Sequence, residues 1–152
     1  MSMRTYINYG YGICTDDLEK YVNKNTFLAL INEAPKYKEY FSDFIKELEE
    51  DNGKTPFIET EYYTDICDID YSIAEILKEV ILENEHVYFI ACSDFDDNHY
   101  LIFQPYYPWD ATTEEERGLT HEKIQEIIAK YTKIICPNLN PVCDYCEVEN
   151  CG

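Results

Sequence analysis

Two strand-length apolar runs, Val87-Tyr88-Phe89-Ile90-Ala91-Cys92 and Tyr100-Leu101-Ile102-Phe103-Gln104, are joined by the polar connector Ser93-Asp94-Phe95-Asp96-Asp97-Asn98-His99. A connector of this kind between two such runs is a β-hairpin signal, which commits the chain to an antiparallel sheet. A third strand is read over Thr5 to Thr15, which alternates Tyr6, Asn8, Gly10, Gly12 and Cys14 with Ile7, Tyr9, Tyr11 and Ile13. Its two glycines mark a bulge or a close approach by another backbone. A last strand is expected near Val142 to Val148.

Helical spacing fills the gaps. Asp16 and Asp17 open a turn or short helix through Tyr21, and Asn25 or Thr26 is expected to cap a helix carrying Phe27, Leu28, Leu30 and Ile31. Tyr37, Tyr40, Phe41, Phe44, Ile45 and Leu48 recur at three- and four-residue spacing and predict one helix ending at Asp51-Asn52-Gly53. Residues 54 to 70 show no such period and read as an acidic loop, with a short extended piece around Phe57 to Tyr63. Ser72 with Glu75 reads as a capping box for a helix to about Glu83, and Thr120 as the cap of a final helix lined by Ile124, Ile127, Ile128 and Tyr131. Pro105, Pro108 and Trp109 place an aromatic loop, Tyr106 to Trp109, after the second hairpin strand. The expected fold is α+β: an antiparallel sheet of three or four strands with helices on one face, in a single domain over residues 1–152 with a cysteine-rich tail from Cys136.

Thirty-one acidic residues against 12 lysines and arginines give a formal charge of −19. Such a chain repels phosphate backbones and anionic lipid, and attracts basic protein surfaces. The seven cysteines are an odd number, and no apolar segment follows Met1. Free or metal-bound thiols in a reducing, cytoplasmic compartment are therefore expected, with neither direct nucleic-acid nor membrane binding.

Four of the cysteines, Cys136, Cys143, Cys146 and Cys151, surround one Cys-x-x-Cys spacing that is compatible with a structural zinc. A zinc ribbon has two such knuckles and this tail has one, so the alternative is a set of unligated thiols. Redox chemistry at Cys143-Asp144-Tyr145-Cys146 is disfavoured because Asp144, Glu147 and Glu149 raise rather than lower a thiol pKa. The Asp94, Asp96, Asp97 and Asn98 loop lacks the glycine and glutamate of a calcium-binding loop and reads as a hairpin turn. Phosphate-loop, dinucleotide-loop, metalloprotease and serine-hydrolase motifs are absent. No catalytic residue emerges, and the chain reads as a binding protein rather than an enzyme.

Between Glu39 and Asp70 the chain carries eleven acidic residues against two lysines. Asp43, Glu47 and Glu50 fall on one helical stripe, and Glu59 and Glu61 flank Tyr62 and Tyr63, aromatic anchors of the kind that supply buried area at protein interfaces. These seven residues form the expected partner-binding face, with Tyr106 to Trp109 next in line.

The segment Tyr9-Gly10-Tyr11-Gly12-Ile13, with the run Asp96 to Trp109 centred on Tyr-Leu-Ile-Phe-Gln-Pro-Tyr-Tyr-Pro-Trp, resembles small acidic proteins of Firmicutes and their phages. The resemblance implies a mobile-element setting, in which small acidic proteins act as anti-CRISPR or anti-restriction inhibitors of basic nucleases. It supplies no catalytic residues. The alternative expectations are a small zinc-stabilised interaction or regulatory domain and, third, an enzyme whose dispersed pocket residues leave no trace in sequence spacing.

Overall fold

The structure, a computed structural model, describes residues 5–67, 69–104 and 114–151. Its sheet contains β1 (Thr5–Cys14), β2 (Ile90–Ser93), β3 (His99–Phe103) and β4 (Asp144–Cys151), ordered β2-β3-β1-β4 with every neighbour antiparallel. The register sets Gly12 opposite both Ile102 of β3 and Asp144 of β4. No bulge interrupts the pairing, and the glycines serve close approach. The hairpin turn closes on Asp94, whose carboxylate accepts from the Asp96 and Asn98 backbones at 2.9 and 3.0 Å and from the Asn98 side chain at 3.1 Å. Those oxygens are spent on the turn.

Seven α-helices accompany the sheet among the described residues. α1 (Lys24–Ile31) is capped by Asn23, whose side chain accepts from the Thr26 backbone while the Thr26 hydroxyl accepts from that of Asn23, both at 2.9 Å. The expected cap at Asn25 or Thr26 is thus corrected by up to one turn, since Thr26 is the far corner of the box. The single helix expected through Leu48 is broken into α2 (Pro35–Lys38) and α3 (Ser42–Glu47), each followed by a 3₁₀ turn. The segment wraps the buried Phe27 ring, which receives Phe41 and Phe44 edge-on at 5.2 and 5.4 Å.

The described residues of the 54–70 stretch are neither extended nor a plain loop. A 3₁₀ turn at Phe57–Glu59 leads into α4 (Tyr63–Cys67). Phe57 is fully buried against Phe27, Phe44 and Tyr62 at 5.6–5.8 Å, so burial of one ring organises a stretch without visible period. α5 (Ser72–Glu85) begins after Tyr71 in left-handed backbone, and no side chain caps it. Ser72 is itself buried, with φ 50°, and Glu75 pairs with Lys78 instead of closing the expected box. α6 (Glu114–Arg117) is short, and α7 (His121–Ile135) starts as expected, the Thr120 hydroxyl accepting from the Lys123 backbone at 3.2 Å.

Phe27, Leu30 and Ile31 of α1, Ile73, Leu77 and Val80 of α5, and Ile124 and Ile128 of α7 pack with Ile13, Ala91, Leu101 and Phe103 of the sheet in one core. The opposite sheet face buries Cys92, Ile102 and Val148 with no helix residue in the cluster. The sheet does this by coiling: its two outer strands approach until the Asn150 amide of β4 donates to the Ser93 carbonyl of β2 at 2.8 Å. Among the described residues no helix is long and apolar enough to cross a membrane. The aromatic segment Tyr106 to Trp109 lies outside the described residues.

Candidate partner-binding cleft

The break in the 35–50 segment turns Glu47, at the end of α3, toward Asp65 of α4. Glu47, Glu61, Tyr62 and Asp65 line one open cleft, and Glu47 and Asp65 also rim an adjoining hollow floored by Phe41, Phe44, Ile66 and Ile69. The Tyr62 ring is anchored edge-on to Phe44 and Phe57 at 6.0 and 5.6 Å, with its hydroxyl 3.4 Å from the Glu47 carbonyl. Desolvation, followed by the charges of Asp51, Glu61, Glu47 and Glu50, holds that hydroxyl above the usual tyrosine range. Four carboxylates therefore act on one point of the surface.

No salt bridge among the described residues reaches Asp43, Glu47, Glu50, Asp51, Glu59, Glu61 or Asp65. Lys24 is nearby, but its ammonium is bonded to the backbone carbonyls of Glu49 and Asp51. The result is an amphipathic receptacle, apolar below and anionic at the rim. A lysine or arginine side chain has the matching profile, an aliphatic stem ending in a cation.

Of the seven expected binding residues, the structure gathers Glu47, Glu61 and Tyr62 in the cleft, with Glu50 within electrostatic reach. Asp43 is exposed one turn before Glu47 on α3, while Glu59 is exposed and lines neither hollow. Tyr63 is directed elsewhere, to a pocket with Glu19, Ile58 and Ile73. The sequence reading missed Asp65, Ile66 and Ile69 as site residues. Their signal was present: Tyr62, Ile66 and Ile69 follow at four- and three-residue spacing, a single helical stripe.

Among the described residues Cys136, Cys143 and Cys146 form no group that could hold a metal, and the side chain of the fourth expected ligand, Cys151, lies outside the described residues. Cys143 packs in the helix-side core, whereas Cys146 lies in the cluster on the opposite face of the sheet. An odd separation along extended backbone sends side chains to opposite faces. Burial pushes the Cys143 thiol up to about 12 and the Cys92 thiol to about 11, with Cys146 adding to both. Both thiols stay protonated at neutral pH, which disfavours thiolate attack on a disulfide. Among the described residues, one trio of potential ligands does stand within 4.8 Å of one another: Asp16, Glu19 and His99.

Neither a protein-family model, nor a curated protein, nor a solved structure matches this chain.

Proposed function

We propose that this chain is a non-enzymatic binding protein that docks the cleft around Tyr62 on a basic surface of a protein partner. The carrying observation is the convergence of Glu47, Glu61 and Asp65, none in a salt bridge among the described residues, beside an apolar floor. Basic surfaces of this kind line nucleic-acid channels, where spaced carboxylates can stand in for phosphates. The partner class that fits is a basic nuclease, CRISPR or restriction enzymes among them, inhibited by occupation of its channel.

Exposed rim charges act mainly on the association rate, whereas desolvated contacts act mainly on dissociation. A direct test measures binding of the chain to arginine- and lysine-rich peptides by fluorescence anisotropy at low and high salt. The double variant Glu47→Lys, Asp65→Lys is compared with Glu122→Lys, Glu126→Lys, which makes an identical change in net charge on the exposed side of α7. The cleft variant is expected to bind about tenfold more weakly at low salt, with the α7 variant close to wild type. Equal weakening by both would show attraction to net charge alone and remove the cleft from the proposal.

A further inference from the structure

The trio Asp16, Glu19 and His99 belongs to no part of the acidic cleft and has its own geometry. β1 ends at Cys14, and the 3₁₀ helix that follows, Asp16–Tyr21, carries both carboxylates. His99 opens β3. The register of β1 on β3 brings these segments together although they lie 83 residues apart, and two hydrogen bonds join them: Thr15 N–H donates to the His99 carbonyl at 2.8 Å, and His99 N–H to the side-chain Oδ1 of Asp16 at 3.0 Å.

The His99 ring places Nδ1 3.8 Å from Asp16 Oδ1 and 3.7 Å from Glu19 Oε1. Both distances are too long for hydrogen bonds. Nδ1 is buried and has no hydrogen-bond partner, although buried ring nitrogens are ordinarily paired. The spacing does suit ligation: nitrogen and oxygen ligands sit about 2.0–2.2 Å from zinc, so two of them at a tetrahedral angle stand roughly 3.3–3.6 Å apart. Small side-chain adjustments close the difference. The three side chains keep 24%, 32% and 27% of their surface exposed for His99, Asp16 and Glu19, which leaves an entry path and room for water on the remaining positions.

We propose that Asp16, Glu19 and His99 Nδ1 bind one first-row divalent transition-metal ion, zinc in class, at the junction of β1 and the hairpin. One imidazole with two carboxylates selects such an ion over calcium or magnesium, which favour all-oxygen sets. Three protein ligands leave at least one coordination position to water. The ion stitches the β2–β3 hairpin to the 3₁₀ helix, and the site does not depend on the acidic cleft.

The test is titration of Co²⁺ into chelator-treated protein, followed by visible absorption and calorimetry, with Zn²⁺ as competitor. The expected result is one Co²⁺ per chain, with d–d bands but no thiolate charge-transfer absorption, displaced by Zn²⁺ and not by millimolar Mg²⁺. Glu19→Gln and His99→Asn should weaken binding by about 10- to 100-fold, while the pair Cys143→Ser, Cys146→Ser leaves it unchanged. Circular dichroism of the metal-free variants reports whether each is folded. Should His99→Asn fail to fold, ring ¹⁵N resonances of the unaltered protein give the same answer, because Zn²⁺ should shift His99 and leave His86 and His121 in place. Absence of saturable binding, thiolate charge-transfer bands, or unaltered affinity in Glu19→Gln would each overturn the site.

Discussion

Gly12→Ala should be among the most damaging single-methyl additions to this protein. A Cβ built at Gly12 would stand 2.0 Å from the Leu101 carbonyl oxygen and 2.7 Å from the Ile102 Cα, both backbone atoms that no rotamer change can move. Carbon contacts are comfortable at about 3.5 Å, so β1 and β3 would have to part locally by more than about 1 Å. That displacement carries ladder hydrogen bonds from about 2.9 Å past their useful range. It also opens the fully buried Ile102. Overpacking costs about 1–3 kcal/mol, and two weakened ladder bonds add about 1 kcal/mol each, for a total of about 3–5 kcal/mol. At about 2–4 °C per kcal/mol for a chain of this size, Tm should fall by about 6–20 °C. Gly10→Ala, whose nearest contact is 2.5 Å to the Phe103 oxygen, should cost less. Gly118→Ala, with no atom within 4 Å, should be neutral or slightly stabilising. Urea denaturation followed by circular dichroism measures all three. A Gly12→Ala variant within about 1 kcal/mol of wild type would refute the close approach of the two strands, since overpacking alone predicts at least that loss.

Phe57→Ala should cost about 3–5 kcal/mol by the same assay, because its ring fills the space between Phe27, Phe44 and Tyr62; a loss typical of a surface loop would place the ring outside the core. The Asp94 carboxyl lies below its usual range: burial raises it, but bonds from the Asn98 side chain and from the Asn98 and Asp96 backbones outweigh that. A depressed carboxyl contributes stability that is present above the unfolded-state value of about 3.9 and is lost as pH falls through the folded value. Asp94→Asn should therefore be less stable than wild type at neutral pH, with the gap closing in acid, as read from unfolding curves across pH. In pulse alkylation with peptide mapping, exposed Cys14 should react well before Cys92 and Cys143, which are buried in the two core clusters; equal rates for the three would contradict the two-sided core.

The hairpin, the first strand and the Thr120-capped helix were readable because each is encoded within a few neighbouring residues, by alternation, a polar connector or a capping hydroxyl. The α+β class with an antiparallel sheet of three or four strands follows from those signals together, and the structure fixes the number at four. The acidic residues of 39–70 were equally plain as charge, but their division between a cleft and open surface was not. Glu47 meets Asp65 only because a helix breaks around Phe27 and Phe57 is buried. Ser72 has the chemistry of a cap and is instead buried in left-handed backbone after Tyr71, a consequence of how α4 leads into α5. Cys143 and Cys146 look like a metal knuckle in the linear sequence, and extended backbone points them apart. Asp16, Glu19 and His99 carry no shared spacing, and the register of β1 against β3 makes them neighbours. Local pattern specifies which element forms, because propensity, periodicity and capping act over a turn or two. Juxtaposition across dozens of residues is settled by strand register, sheet coiling and the packing of single rings, which no short window of sequence contains.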